Sequence, residues 1–75
     1  MVLSDGKIGG TYRVEGITLE ETIRRRFEIL GMTLHSTVVI MNKKHAGTMI
    51  IKIRGTRFAI GKGFATQIAV KEVAA

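Results

Sequence analysis

The chain has no cysteine among its 75 residues, which rules out both a disulfide framework and a Cys-based zinc site. A domain of this size buries only about 60% of the surface its unfolded chain exposes, so the apolar interior must hold the fold unaided. The absence fits a reducing cytosol. Acidic residues are also few. Six Asp and Glu face twelve Lys and Arg, giving a formal charge of +6, which favours nucleic acid, an anionic membrane face or an acidic protein surface as partner. Long apolar runs are missing as well. The longest unbroken aliphatic run, Val38 to Met41, falls far short of the roughly 20 residues a spanning helix needs. Met1 to Gly6 reach an acid and a glycine before any stretch of signal-peptide length, so the expectation is a soluble or at most peripheral protein.

Residues able to do chemistry are scarce. Ser4 and Ser36 are the only serines, and neither stands in a nucleophile-elbow sequence. Glu20 and Glu21 are adjacent on a predicted helix, so their side chains diverge by about 100° and cannot converge on one bond. His35 and His45 flank a predicted strand whose rise holds them roughly 25 to 30 Å apart, too far for shared metal ligation. Gly55 to Gly63 ends in Gly61-Lys62-Gly63, yet five residues separate the glycines where a phosphate loop has four, and no Ser or Thr follows the lysine. A glycine-bounded corner is the better reading, and the chain reads as a non-enzyme.

What is present is alternation. Met49, Ile51 and Ile53 alternate with Ile50, Lys52 and Arg54, and Phe58 and Ile60 alternate with Arg57 and Ala59 after an Arg54-Gly55-Thr56 break. This predicts a tight β-hairpin with one wet face. An earlier alternating segment, Thr11 to Glu15, closes at Gly16-Ile17 as a first strand. Thr18 and Glu21 have capping-box spacing, and Leu19, Ile23, Phe27 and Leu30 make one apolar stripe, which predicts a helix over Leu19 to Leu30. Glu20/Arg24 and Glu21/Arg25 are expected i,i+4 pairs, and Gly31 is the expected left-handed stop. Thr37 to Met41, apolar on both faces, reads as a central strand, followed by a loop over Asn42 to Gly47. Phe64 to Thr66 reads as a single helical turn after the Gly61-Lys62-Gly63 interruption, Gln67 to Lys71 as a fifth strand, and Val73 to Ala75 as a loose end. The fold class expected is mainly β: one domain over residues 1–75, a strongly bent sheet of about five strands with glycine at its corners and one helix after the first strand.

The basic residues form a candidate surface. Arg24-Arg25-Arg26 on the helix, Lys43-Lys44 in the loop and Arg54 with Arg57 astride the hairpin turn are spaced as a stripe for phosphates would be. Stacking on bases needs exposed aromatics, however, and Phe27 and Phe58, two of only four aromatic residues, fall on predicted core faces. A nucleic-acid-binding module is therefore the alternative reading.

Several ordered segments carry a family resemblance: Leu3-Ser4-Asp5-Gly6-Lys7-Ile8-Gly9-Gly10-Thr11-Tyr12-Arg13-Val14, Arg24-Arg25-Arg26-Phe27-Glu28-Ile29-Leu30-Gly31-Met32, Thr37-Val38-Val39-Ile40, Ile51 to Ile60, and Ala65-Thr66-Gln67-Ile68-Ala69-Val70. Each is a short apolar pattern, but the ordered set with its glycines spans nearly the whole chain and resembles FeoA, the small protein of bacterial ferrous iron uptake. The resemblance implies an SH3-like β-barrel acting in the cytoplasm beside FeoB, the membrane ferrous-iron transporter that carries a GTPase domain. It also implies a regulatory or scaffolding role rather than catalysis, with ferrous iron or another transition metal a matter of pathway rather than of an evident ligand set. Leu34-His35 stands where the family often has Pro-Gly. On this reading the partner-binding residues are Arg24, Arg25 and Arg26 on the helix and Arg54, Thr56 and Arg57 at the hairpin tip, meeting an acidic surface. A third reading is a sensor that binds ferrous iron where two or more copies meet.

Overall fold

Alternating hydrophobicity organises five segments of the chain into one antiparallel sheet. The computed structural model describes residues 1–73. Its elements are β1 (Thr11–Ile17), α1 (Glu21–Ile29), β2 (Thr37–Lys43), β3 (Met49–Ile53), β4 (Thr56–Ile60), α2 (Lys62–Ala65) and β5 (Ile68–Glu72), with 3₁₀ turns at Leu3–Asp5 and His45–Gly47. The strands lie in the order β4-β3-β2-β1-β5, so β2 is central as its two-sided apolar character predicts. Val38 and Ile40 of β2 are fully buried, and Val39 and Met41 half-buried. The mainly β fold with one helix after the first strand is thus what forms.

The hairpin turns on two residues rather than three. Arg54 and Gly55 have φ of 51° and 83°, the positive pair that matches strand twist in a two-residue turn, and Thr56 already pairs with Ile53 as the first residue of β4. Register shifts, leaving Glu15 of β1 and Met41 of β2 as extra residues, bend the sheet around its core. Because of the second shift, β2 runs on through Asn42 and Lys43, pairing them with Ile50 and Met49, where a loop was expected. Similarly, α2 starts at Lys62 and takes in the residues read as an interruption. The fifth strand is displaced by one residue, to Ile68–Glu72. Of the expected loose end, Val73 still donates its N–H to the Thr11 carbonyl at 2.9 Å, and the rest lies outside the described residues.

The helix begins later than its capping signal. Thr18 follows β1 directly, and both its N–H (2.9 Å) and its hydroxyl (2.8 Å) donate to the Gln67 carbonyl, so the side chain is spent on the chain entering β5 instead of on the helix. Glu20 takes the N-cap position without a side-chain bond. The expected Glu20/Arg24 pair does not form, because Arg24 turns to Glu28 one helical turn further on; Arg25 pairs with Glu21 at 2.7 Å as expected. At the other end Gly31 has φ 105°, its N–H reaches the Glu28 carbonyl and the Met32 N–H reaches that of Phe27, both at 2.9 Å. This Schellman arrangement satisfies two carbonyls of the last turn and carries Met32 into the core.

Inside the bent sheet, Val14, Val38, Ile40, Met49, Ile51, Ile53, Ile60 and Ile68 are essentially inaccessible to solvent. Phe27 and the partly buried Ile23 add the apolar face of α1, flanked by the buried Leu19 before it and the partly buried Leu30 at its C-cap. Phe27 stacks on Phe58 of β4 at 6.1 Å and meets Phe64 of α2 edge-on at 5.8 Å, which joins both helices to an edge of the sheet. One core contribution has no signal in the periodicity. Leu3 is buried because the segment before β1, to which it belongs, folds over Tyr12, with the Lys7 N–H donating to the Tyr12 hydroxyl at 2.8 Å. Gly10 lies so close that a Cβ there would stand 2.7 Å from the Tyr12 ring.

Candidate docking surface at the hairpin tip and helix end

Positive charge is the chain's dominant surface property, and ion pairing decides where it remains available. Among the described residues the carboxylate partners are Glu15 for Arg13 (2.9 Å), Glu28 for Arg24 and Glu21 for Arg25. Arg26, Arg54 and Arg57 are all exposed, and among the described residues none is paired with a carboxylate. Arg26 lies in the last turn of α1, where cations are favoured by the helix dipole. Gly31 follows that turn, and a Cβ built on it would stand 3.4 Å from Cδ and 3.7 Å from Cβ of Arg54. The hairpin turn at Arg54 therefore rests on the segment that ends the helix.

The triple arginine does not act as a unit. Arg24 is half-buried and borders a groove of about 500 Å³ with Glu15, Gly16, Ile17, Glu28, Thr33 and Leu34, away from the hairpin. A hydrogen bond from Arg13, outside that lining, holds the Glu15 carboxyl below its ordinary range. Arg25 is exposed but engaged by Glu21. A further cation does belong to the tip region. Lys52 stands directly opposite Arg57 across the hairpin, two like charges on one face, an arrangement that costs stability in a sheet. The signal for it was in the sequence, since counting back from a two-residue turn pairs position 52 with position 57.

Lys43, Lys44 and His45 line a separate surface groove of about 600 Å³ with Asn42, at the far end of β2 from His35. Among the described residues no three His, Asp or Glu side chains converge as a metal site would require. Nor is there a base-stacking row: Tyr12 and Phe27 are buried, Phe58 is partly buried, and Phe64 is 41% exposed. Among the described residues no helix is long and apolar enough to cross a membrane.

Comparison with known proteins places this geometry. No curated protein matches the chain significantly. Among solved structures, an iron uptake regulatory protein, FeoA, superposes with a TM-score of 0.88 at 30% identity, covering 97% of both chains. The zinc complex of Stenotrophomonas maltophilia FeoA, described as an SH3 domain protein and a candidate ferrous iron transport activating factor, superposes with a TM-score of 0.79 at 25% identity, covering 95% of this chain and 89% of that one. A manganese-dependent transcriptional repressor shares the fold over 97% of this chain and 41% of its own, with a TM-score of 0.87 at 23% identity. The bent five-stranded sheet is therefore SH3-like. The FeoA domain model matches residues 1–72, and with a fold built on the same ordered segments the chain belongs to the FeoA family.

Proposed function

We propose that this protein is a non-catalytic accessory factor of ferrous iron uptake that acts in the cytoplasm by binding an acidic surface on a FeoB-type membrane transporter. Family membership supports the pathway. The observation that supports the mode of action is that the exposed Arg26 at the helix end and Arg54 and Arg57 at the hairpin have no carboxylate partner among the described residues. Complementary charge of this kind speeds encounter and fixes orientation more than it adds affinity. No set of side chains suited to hold a metal converges among the described residues, and ferrous iron enters this reading only as the transporter's cargo.

The test measures association of the full chain with the cytoplasmic part of a FeoB-type transporter. Arg26→Glu and Arg57→Glu each slow association roughly tenfold, whereas Arg25→Glu, whose native side chain is already held by Glu21, has a smaller effect. Equal binding by the wild type and both variants removes the surface assignment. Salt-sensitive binding to RNA or DNA with no binding to the transporter would favour a nucleic-acid role instead.

A further inference from the structure

The two ends of the sheet are treated differently. The outer edge of β5 is covered, since Val2 bridges to Ala69 and the Val70 N–H donates to the Met1 carbonyl at 2.9 Å. The outer edge of β4 is bare. Its residues make no backbone hydrogen bond outside the β3 pairing among the described residues, and Thr56, Arg57 and Ala59 are exposed. In an antiparallel pair closed by a two-residue turn, Ile53/Thr56 and Ile51/Phe58 exchange the ladder bonds, so the N–H and C=O groups of Arg57 and Ala59 point away from the sheet. These groups are spaced as a strand partner requires. On one face of that edge stand Arg57 and Lys52; on the other lie Phe58, only partly buried, and the exposed Phe64.

We infer that β4 takes up an extended segment of a partner protein as a sixth strand, and that the segment alternates acidic with apolar side chains. The acids face Arg57 and Lys52, relieving the like-charge opposition, and the apolar side chains extend the Phe27/Phe58/Phe64 cluster. A second copy of the chain is the poorer occupant. Edge-to-edge pairing would bring two molecules of charge +6 together at their cationic strands, and a charged edge residue such as Arg57 discourages self-pairing. The inference rests on the reading that the hairpin tip meets an acidic partner and adds how the contact is made.

The experiment uses the full chain and a synthetic blocked heptapeptide of alternating Glu and Val. Its addition slows amide hydrogen exchange at Arg57 and Ala59 selectively, and the affinity falls about tenfold when the peptide amides facing the edge are N-methylated but not when the opposite set is. Ala59→Pro removes an edge donor at a position where proline is tolerated and weakens binding similarly; the methylated peptides give the same information without altering the protein. Peptide binding without protection of Arg57 and Ala59, or insensitive to which amides are methylated, overturns the strand inference, as does failure of the peptide to bind. Salt-stable dimerisation through β4 would also overturn it, in favour of a second copy. If the transporter domain binds Ala59→Pro as tightly as wild type while Arg57→Glu loses affinity, the accessory role stands and the sixth strand does not. If the peptide binds as described while the transporter domain does not, the reverse holds.

Discussion

Arg54 occupies a backbone position that a long side chain adopts at a cost. The first position of its turn requires positive φ, which asparagine, aspartate and glycine adopt readily and a long side chain does not. Arg54→Asn is therefore expected to raise stability by about 0.5–1 kcal/mol, read as a higher midpoint of urea unfolding at unchanged slope, while removing a cation from the candidate surface. A lowered midpoint would show that the arginine stem's packing against Gly31 outweighs the backbone strain. His35 stands in the same backbone region with φ 70°, at the place where the resemblance put a glycine, so the chain keeps the left-handed turn before β2 without the residue best suited to it.

At the scale of elements, α1 is held by few anchors. Phe27, buried between Phe58 and Phe64, joins the helix to β4 and α2 together. Phe27→Ala is expected to cost about 3 kcal/mol, a large part of the stability of so small a domain, measured by equilibrium denaturation. A loss below about 1 kcal/mol would mean that the cluster collapses around the gap. The element boundaries also show what periodicity misses. The stripe Leu19, Ile23, Phe27 and Leu30 identified the helix and its inward face, and Gly31 its end. The start was misread because the Thr18 hydroxyl, expected to accept an N–H of the first helical turn, instead donates to the Gln67 carbonyl, far away in sequence. Likewise the loop reading of Asn42 and Lys43 followed their polarity, whereas a shift in register at Met41 keeps them paired to β3.

For the whole molecule, the charge of +6 is a long-range property while the candidate surface is a local one, and ionic strength separates them. Raising salt from about 0.1 M to about 1 M shortens the Debye length from about 10 Å to about 3 Å. The association rate with the transporter's cytoplasmic part should fall steeply over that range while the dissociation rate changes little, as stopped-flow measurement would show. A salt-independent association rate would mean that the cations do not guide encounter. The bare edge of β4 belongs to this scale too, because it exists only once the sheet order has left that strand unpaired on one side.

The mainly β class, the hairpin, the helix with its apolar face, and the family pattern were all legible in the amino-acid order, since each depends on contacts between residues close in sequence or on a period of two or 3.6. The sorting of the arginines was legible only in part, since the Glu21/Arg25 pair was expected and the choice of Glu28 over Glu20 by Arg24 was not. Arg24, Arg25 and Arg26 look alike in a row, and their difference arises from which carboxylate lies one turn away on the folded helix. The meeting of Arg54 with the helix end, the burial of Leu3 against the sheet, and the cover over β5 that β4 lacks are products of long-range packing and register. Local sequence specifies the elements because local physics forms them. The candidate surface depends on which distant elements share the core, and only the folded chain sets that.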